Sequence, residues 1–214
     1  MSHISLHYIY DPFCAHCFGI APLVEGAMAV PGLPVIRHIG TAIMRPRAGR
    51  NLRELESAHL DELHFLERAG QPVGDTYRKR AHLSEGPSNN LACHPAVAML
   101  AADLIDRSGW RMLRRLQAAY FVEGLPIDQR PVLLRLAVDQ GFNIKEFDAA
   151  LVQAQADLPR HMCATRNLVH RLKGQGLPSL SAEVGNHAFK LDLTRFVGKP
   201  QMFRHAIQGL IATA

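Results

Sequence analysis

The tetrapeptide Cys14-Ala15-His16-Cys17 lies between Leu6-His7-Tyr8-Ile9-Tyr10 and Phe18-Gly19-Ile20-Ala21-Pro22. The first flank reads as a β-strand and the second as the body of a helix. A strand must therefore end, and a helix begin, at a pair of cysteines. Two sulfurs at positions i and i+3 of a helix start lie within about one turn, close enough to bridge with little backbone movement. The unpaired N–H groups and positive dipole end of the helix favour a thiolate at the first cysteine. Cys14 is thus the expected attacking sulfur. Cys17, deeper in the first turn, is the expected resolving sulfur. A protonated His16 between them further favours the thiolate and makes the pair more oxidising. Half of a zinc site, or two inert thiols, are the competing readings of the same four residues.

The rest of the chain changes character twice. Residues 5–10 read as a strand, about 14–30 as a helix and 34–39 as a second strand, which is the sequence form of a parallel βαβ unit. Pro22 falls inside that helix and is expected to kink it. From about 50 to 173 the pattern is helical. The expected helices start near Leu52, His94, Trp110, Gln129, Phe142 and Pro159, with a loop at Gly86-Pro87-Ser88-Asn89-Asn90. Strand character returns at 177–184 and 187–193, joined by Gly185-Asn186, and a helix over 199–211 closes the chain. The order is β-α-β, helical block, β-β-α. It predicts three segments: 1–45, 46–173 and 174–214.

Composition narrows the function classes. The chain has 214 residues and a formal charge of +5. Its basic residues are dispersed among acids and apolar residues, which reads as solvated helix faces and predicts no nucleic-acid partner. No run approaches the ~20 apolar residues of a membrane span, so no membrane partner is expected. The start, Met1-Ser2-His3-Ile4-Ser5, has neither the basic nor the apolar region of a secretory signal and points to a cytoplasmic chain. Twelve histidines form no HxH or HExxH pattern, and no metal is expected. Cys93 and Cys163 read as isolated buried thiols, while Trp110, Tyr120 and Phe121 read as core or groove lining.

Leu177-Pro178 opens the third strand, a place where a cis peptide would present backbone to a partner. Together with the strand, Phe13-Cys14-Ala15-His16-Cys17, the helix carrying Pro22, the second strand, the late hairpin and the closing helix, it resembles the thioredoxin fold. The large helical insertion is similar to that of the DsbA-like branch. Tyr10-Asp11-Pro12-Phe13-Cys14-Ala15-His16-Cys17, followed by Gly19 and Pro22, resembles the cytoplasmic, FrnE-related predicted protein-disulfide isomerases. So does Leu116-Gln117-Ala118-Ala119-Tyr120-Phe121-Val122-Glu123-Gly124.

The resemblance implies a thiol–disulfide oxidoreductase acting on protein or small thiol substrates, with Cys14 as nucleophile and Cys17 as resolving cysteine. It makes Pro178 the cis-proline and Leu177 its backbone neighbour, and it sets Phe13 beside the substrate. No cofactor is implied beyond the Cys14–Cys17 disulfide, with glutathione as a candidate reductant. Ala15 stands where DsbA proteins usually carry proline. Asp11 and Glu25 are candidates for the buried acid that assists proton transfer in thioredoxins. A related branch, the 2-hydroxychromene-2-carboxylate isomerases and kappa-class glutathione transferases, carries serine at the position of Cys14 and binds glutathione. Ser88-Asn89 resembles a dipeptide of that wider group. A glutathione-dependent isomerase or transferase, and a non-enzymatic chaperone-like binding module, are the alternative functions.

Overall fold

The computed structural model describes residues 4–40, 51–79, 94–172, 176–185 and 187–212. They group into two compact units. One is Met1–Arg45, His64–Gln71 and Met162–Ala214; the other is Pro46–Leu63 and Pro72–His161. Cys93 and Ser88-Asn89 lie outside the described residues, as does the expected 86–90 loop.

The first unit is built on a four-stranded sheet of order β2-β1-β3-β4. β1 (Ile4–Tyr10) leads into helix α1 (Ala15–Met28), and β2 (Val35–Ile39) returns parallel to β1. β3 (Ser179–Val184) pairs antiparallel with β1, and β4 (His187–Lys190) pairs antiparallel with β3. A 3-10 turn over Thr194–Phe196 leads to the closing helix, Pro200–Ala212. Pro22 neither ends nor shortens α1, which runs six residues past it.

β1 is buried along its whole length, and its period of two divides its side chains between the two sheet faces. Leu6 and Tyr8 share one face with their β3 partners Ala182 and Leu180. α1 covers it, with Ile20, Leu23 and Val24 buried and the closing helix packed alongside through Phe203 and Ile207. Burying side chains of this size is worth about 1.5–3 kcal/mol each.

The opposite face carries the buried polar residues of these strands, Ser5, His7, Ser179 and Ser181, beside Ile9. The end of the helix Ile144–Arg171 covers it, where the Ser181 hydroxyl donates to the Leu172 carbonyl at 2.8 Å.

The second unit is helical among the described residues. It holds the first part of α2 (Leu52–Arg68), the short α3 (Asp75–Arg78), α4 (Ala96–Asp106), α5 (Gly109–Phe121), α6 (Arg130–Asp139) and the first part of α7 (Ile144–Arg171). The closing helix is thus α8. The core of this unit takes Met99, Leu113, Leu116, Phe121, Leu133 and Phe147. Tyr120 is also buried, as the sequence suggested for Tyr120 and Phe121.

Two expectations are corrected. The helices expected at 142–154 and 159–173 are one helix, α7, which runs straight through Pro159. Pro159 and Gln155, whose carbonyl loses its donor, both face solvent, while Phe147, Leu151, Ala154 and Leu158 keep an unbroken buried stripe. The start of α7 is fixed by the Asn143 side chain, which accepts the N–H groups of Lys145 and Glu146. Cys163, expected to be buried, is exposed on α7. No helix among the described residues is long and apolar enough to cross a membrane.

The face that carries His7 has a directed hydrogen-bond chain. His7 Nε2 lies 2.9 Å from Glu183 Oε2, and His7 Nδ1 lies 3.0 Å from His38 Nε2. An ionised carboxylate only accepts, so neutral His7 keeps its proton on Nε2 and accepts at Nδ1 from His38. Arg171 also pairs with Glu183. Burial lowers the pKa of both imidazoles, against the pull of Glu183 on His7, and the neighbouring His7 and Arg171 help bring His38 down to about 4.

The unfolded chain, with histidines near 6.5, therefore takes up protons first as pH falls. This contribution to stability is complete above pH 6.5 and is lost progressively down to about pH 4. For His38 the loss is about 2 kcal/mol after allowance for its partial exposure. Chemical denaturation between pH 7.5 and 4 is expected to show that decline, and His38→Gln to flatten it.

Candidate active site

The strand-to-helix junction is held by three short-range bonds. The Asp11 carboxylate accepts the Phe13 N–H at 2.7 Å, and the Asp11 carbonyl accepts the Cys14 N–H at 3.1 Å. Cys14 is then the N-cap of α1, in extended conformation, and its Sγ accepts the Cys17 N–H at 3.1 Å. A backbone donor of the helix start is thus aimed at the place where negative charge sits when Cys14 is a thiolate.

The two sulfurs meet different surroundings. Cys14 is 8% exposed and Cys17 fully buried. Burial pushes the Cys17 thiol well up, and the hydrogen bond and charge of Cys14 push the same way; the Asp11 N–H, which donates to Cys17, opposes them. Cys17 therefore holds its proton at neutral pH. Beneath it sits Tyr8, fully buried, whose hydroxyl donates to the Cys17 carbonyl at 3.2 Å and whose ring stacks on Tyr10 at 5.0 Å between centroids. Burial keeps the Tyr8 phenol protonated far above neutral pH.

His16 is the half-buried member of the tetrapeptide, and its ring lies 4.4 Å from that of Phe65 on α2. Gly19, one turn on, makes the room: a Cβ there would overlap the Phe65 ring. Phe13 is buried at the turn. Asp11 is fully buried against Cys17, whereas Glu25 faces solvent, so only Asp11 of the two acidic candidates reaches the cysteines.

The Leu177–Pro178 peptide is cis. The register pairs Ile9 with Ser179, so one further step sets Pro178 across from Tyr10, at the end of β1 that runs into Cys14. Gly40 donates to the Tyr10 carbonyl at 2.7 Å, and a Cβ on it would come within 2.7 Å of Leu177 Cδ2 and 2.8 Å of Ile9 Cγ2. Leu177 is thereby seated against the same strand end. Among the described residues, no three His, Cys, Asp or Glu side chains converge to hold a metal ion. Tyr8 and Phe65 were not singled out from the sequence. Tyr8 reads there as one β-former among several, and nothing local ties Phe65 to His16.

Family models and curated protein sequences give no match to the chain. Solved structures do. The cytosolic disulfide reductase DsbM from Pseudomonas aeruginosa aligns over 98% of this chain and 100% of its own, at 31% identity and a TM-score of 0.80. The chain belongs to the DsbA-like family. It is a thiol–disulfide oxidoreductase with a thioredoxin fold and a helical insertion. The structure of DsbM with GSH is similar to this DsbA-like chain over 97% of its length and 99% of DsbM, at 32% identity and a TM-score of 0.78. A 2-hydroxychromene-2-carboxylate isomerase shares the DsbA-like fold over 98% of this chain and 100% of its own, at 15% identity and a TM-score of 0.61.

In this oxidoreductase the Gly19–Phe65 contact has a sign that can be tested. Alanine in a helix interior gains about 1 kcal/mol over glycine from propensity alone, whereas overpacking costs about 1–3 kcal/mol. Gly19→Ala is therefore expected to be neutral to destabilising, and Gly19→Val clearly destabilising, in urea denaturation.

Proposed function

We propose that the protein is a disulfide reductase of the cytoplasm, that Cys14 is its nucleophile and Cys17 its resolving cysteine, and that glutathione regenerates it. The observation that carries this reading is the contrast between the two sulfurs. One caps a helix and accepts a backbone N–H, and the other is fully buried with its thiol pushed up. Similarity to a cytosolic reductase whose structure with GSH is known supports the direction and the reductant.

The Cys14 thiolate attacks one sulfur of a substrate disulfide. That S–S bond breaks, a Cys14–substrate disulfide forms, and the other substrate sulfur leaves as a thiolate and takes a proton. Cys17 then loses its proton and attacks Cys14 Sγ. The second substrate sulfur leaves with a proton, and the protein is left as the Cys14–Cys17 disulfide, two electrons having passed to the substrate. Regeneration runs the same exchange with two glutathione molecules. The first forms a mixed disulfide at Cys14, the second attacks the glutathione sulfur, and oxidised glutathione leaves. Phe13, Leu177 and Pro178, grouped around the end of β1, form the surface on which an extended protein or peptide substrate is held. His16 stabilises the Cys14 thiolate, and its contact with Phe65 sets the ring's place.

Cys14→Ser is expected to abolish glutathione-coupled disulfide reduction, and Cys17→Ser to trap a mixed disulfide at Cys14 visible by mass spectrometry. Retained turnover in Cys14→Ser would instead favour the glutathione-dependent isomerase or transferase reading. His16→Ala is expected to make the potential of the Cys14/Cys17 couple more negative by about 30 mV, read by equilibration with glutathione buffers.

A further inference from the structure

The resolving step carries a difficulty that the two cysteines do not remove by themselves. Cys17 must become a thiolate to attack Cys14 Sγ, yet it is fully buried and its thiol is pushed up by that burial. Negative charge then develops at a sulfur closed off from water. Such a site needs hydrogen-bond donors already in place, because in a water-excluded setting a fixed donor needs no reorganisation when the charge appears.

The groups that face Cys17 can be named. On α1 there is Cys14. In the turn there is Asp11, whose N–H donates to Cys17 and whose carboxylate repels a thiolate there. On β1 there is Tyr8, with Tyr10 stacked on it. The closing helix brings apolar Phe203 and Ile207 to this side of the sheet, and its Arg204 reaches the far end of α1, at the Ala29 carbonyl.

We infer that the Tyr8 hydroxyl is a positioning group for the resolving step, a fixed donor that holds the Cys17 backbone in the dithiol and stabilises the Cys17 thiolate as it attacks Cys14. Its oxygen lies 3.2 Å from the Cys17 carbonyl, and the Cys17 side chain acts on the phenol through its charge and a hydrogen bond, both of which raise the Tyr8 pKa. Rotation about one C–O bond moves the proton between the two acceptors, while the buried ring, stacked on Tyr10, stays in place. Burial keeps the phenol protonated, so Tyr8 serves as a donor and not as a base. The proton that Cys17 gives up leaves with the departing substrate thiolate. This inference rests on Cys17 being the resolving cysteine.

The test separates the two chemical steps. Tyr8→Phe keeps the ring and removes only the hydroxyl. Rapid-quench kinetics of a peptide disulfide with reduced protein give the decay of the Cys14–peptide intermediate from pH 6 up to the pH at which the decay in the unsubstituted protein levels off. Tyr8→Phe is expected to slow that decay about tenfold at pH 7, as loss of a hydrogen bond to a charged group would do. Its half-maximal pH is expected to move up by about one unit, and the two proteins are expected to converge at high pH, where Cys17 ionises in both. The first attack, followed in the Cys17→Ser background with and without Tyr8→Phe, is expected to be unchanged.

An unshifted pH profile overturns the inference. So does a slowing that is the same at every pH, or an equal slowing of the first attack, since either marks a structural role alone. If Tyr8→Phe does not fold, the unsubstituted protein supplies the second measurement. In reduced protein carrying 13Cζ-labelled tyrosine, the Tyr8 resonance is expected to shift with the ionisation of Cys17, and a resonance blind to that step overturns the inference. Should Cys17→Ser turn over like the unsubstituted protein, the reading of Cys17 as resolving cysteine fails first, which is a result distinct from any obtained with Tyr8→Phe.

Discussion

The turn from Asp11 to Cys14 is the constraint on which the site depends. A strand that ends on one face of a sheet and a helix that starts above it leave backbone N–H groups without partners. Here the sequence supplies them within four residues. The Asp11 carboxylate takes one, its carbonyl takes the next, and the Cys14 sulfur takes that of Cys17. Replacing a serine or aspartate cap by a cysteine gives up part of the strength of an N-cap, because sulfur is the weaker acceptor in its thiol form. As a thiolate it becomes a charge-assisted acceptor. The cap is thus stronger when its acceptor is charged than when it is a thiol.

The same turn gives two sulfurs only three residues apart different surroundings. Cys14 stands at the lip of the helix, and Cys17, one turn in, points at the sheet and is closed off by β1. A thiol that resists ionisation makes a slow first nucleophile but a good second one. It stays protonated until a mixed disulfide brings an electrophilic sulfur next to it, and only then does attack become intramolecular. Tyr8 and Asp11 matter because they reach Cys17 and not solvent.

Much of this was legible along the chain, and the remainder was hidden for physical reasons. The strand, the cysteine pair, the helix and the late Leu177-Pro178 were readable because each has a local signature: alternation, spacing, or a proline at a strand start. The one long helix α7 reads in sequence as two because proline breaks most helices. What overrode it was the solvent-facing position of Pro159 and Gln155, which only the buried stripe of the folded helix reveals. Cys163 reads in sequence as a core residue because cysteine behaves as a small hydrophobe, yet position along the helix, not residue type, decides exposure. The contact between His16 and Phe65 has no local signature. It depends on Phe65, far along the chain, reaching α1 and on Gly19 leaving room for its ring.

The alternation of β1 links the chemistry to the polar layer behind the sheet. Tyr8 points to Cys17, and His7, the residue before it, points the other way to Glu183 and His38. A slip of one residue in register would exchange them, setting an imidazole under Cys17 and a phenol among the charges. The chain from His38 through His7 to Glu183 is specific about partners in a way that an apolar layer is not: His7 meets His38 at 3.0 Å and Glu183 at 2.9 Å, with the Ser5 hydroxyl 3.2 Å from the same His7 nitrogen that faces Glu183. Such a layer is costly to bury unless every member is satisfied. The chain ties β1 to β2 through His38 and to β3 through Glu183, and the register of those strands sets Pro178 across from Tyr10. The precision of the thiol site is in this sense inherited from histidines that never approach the sulfurs.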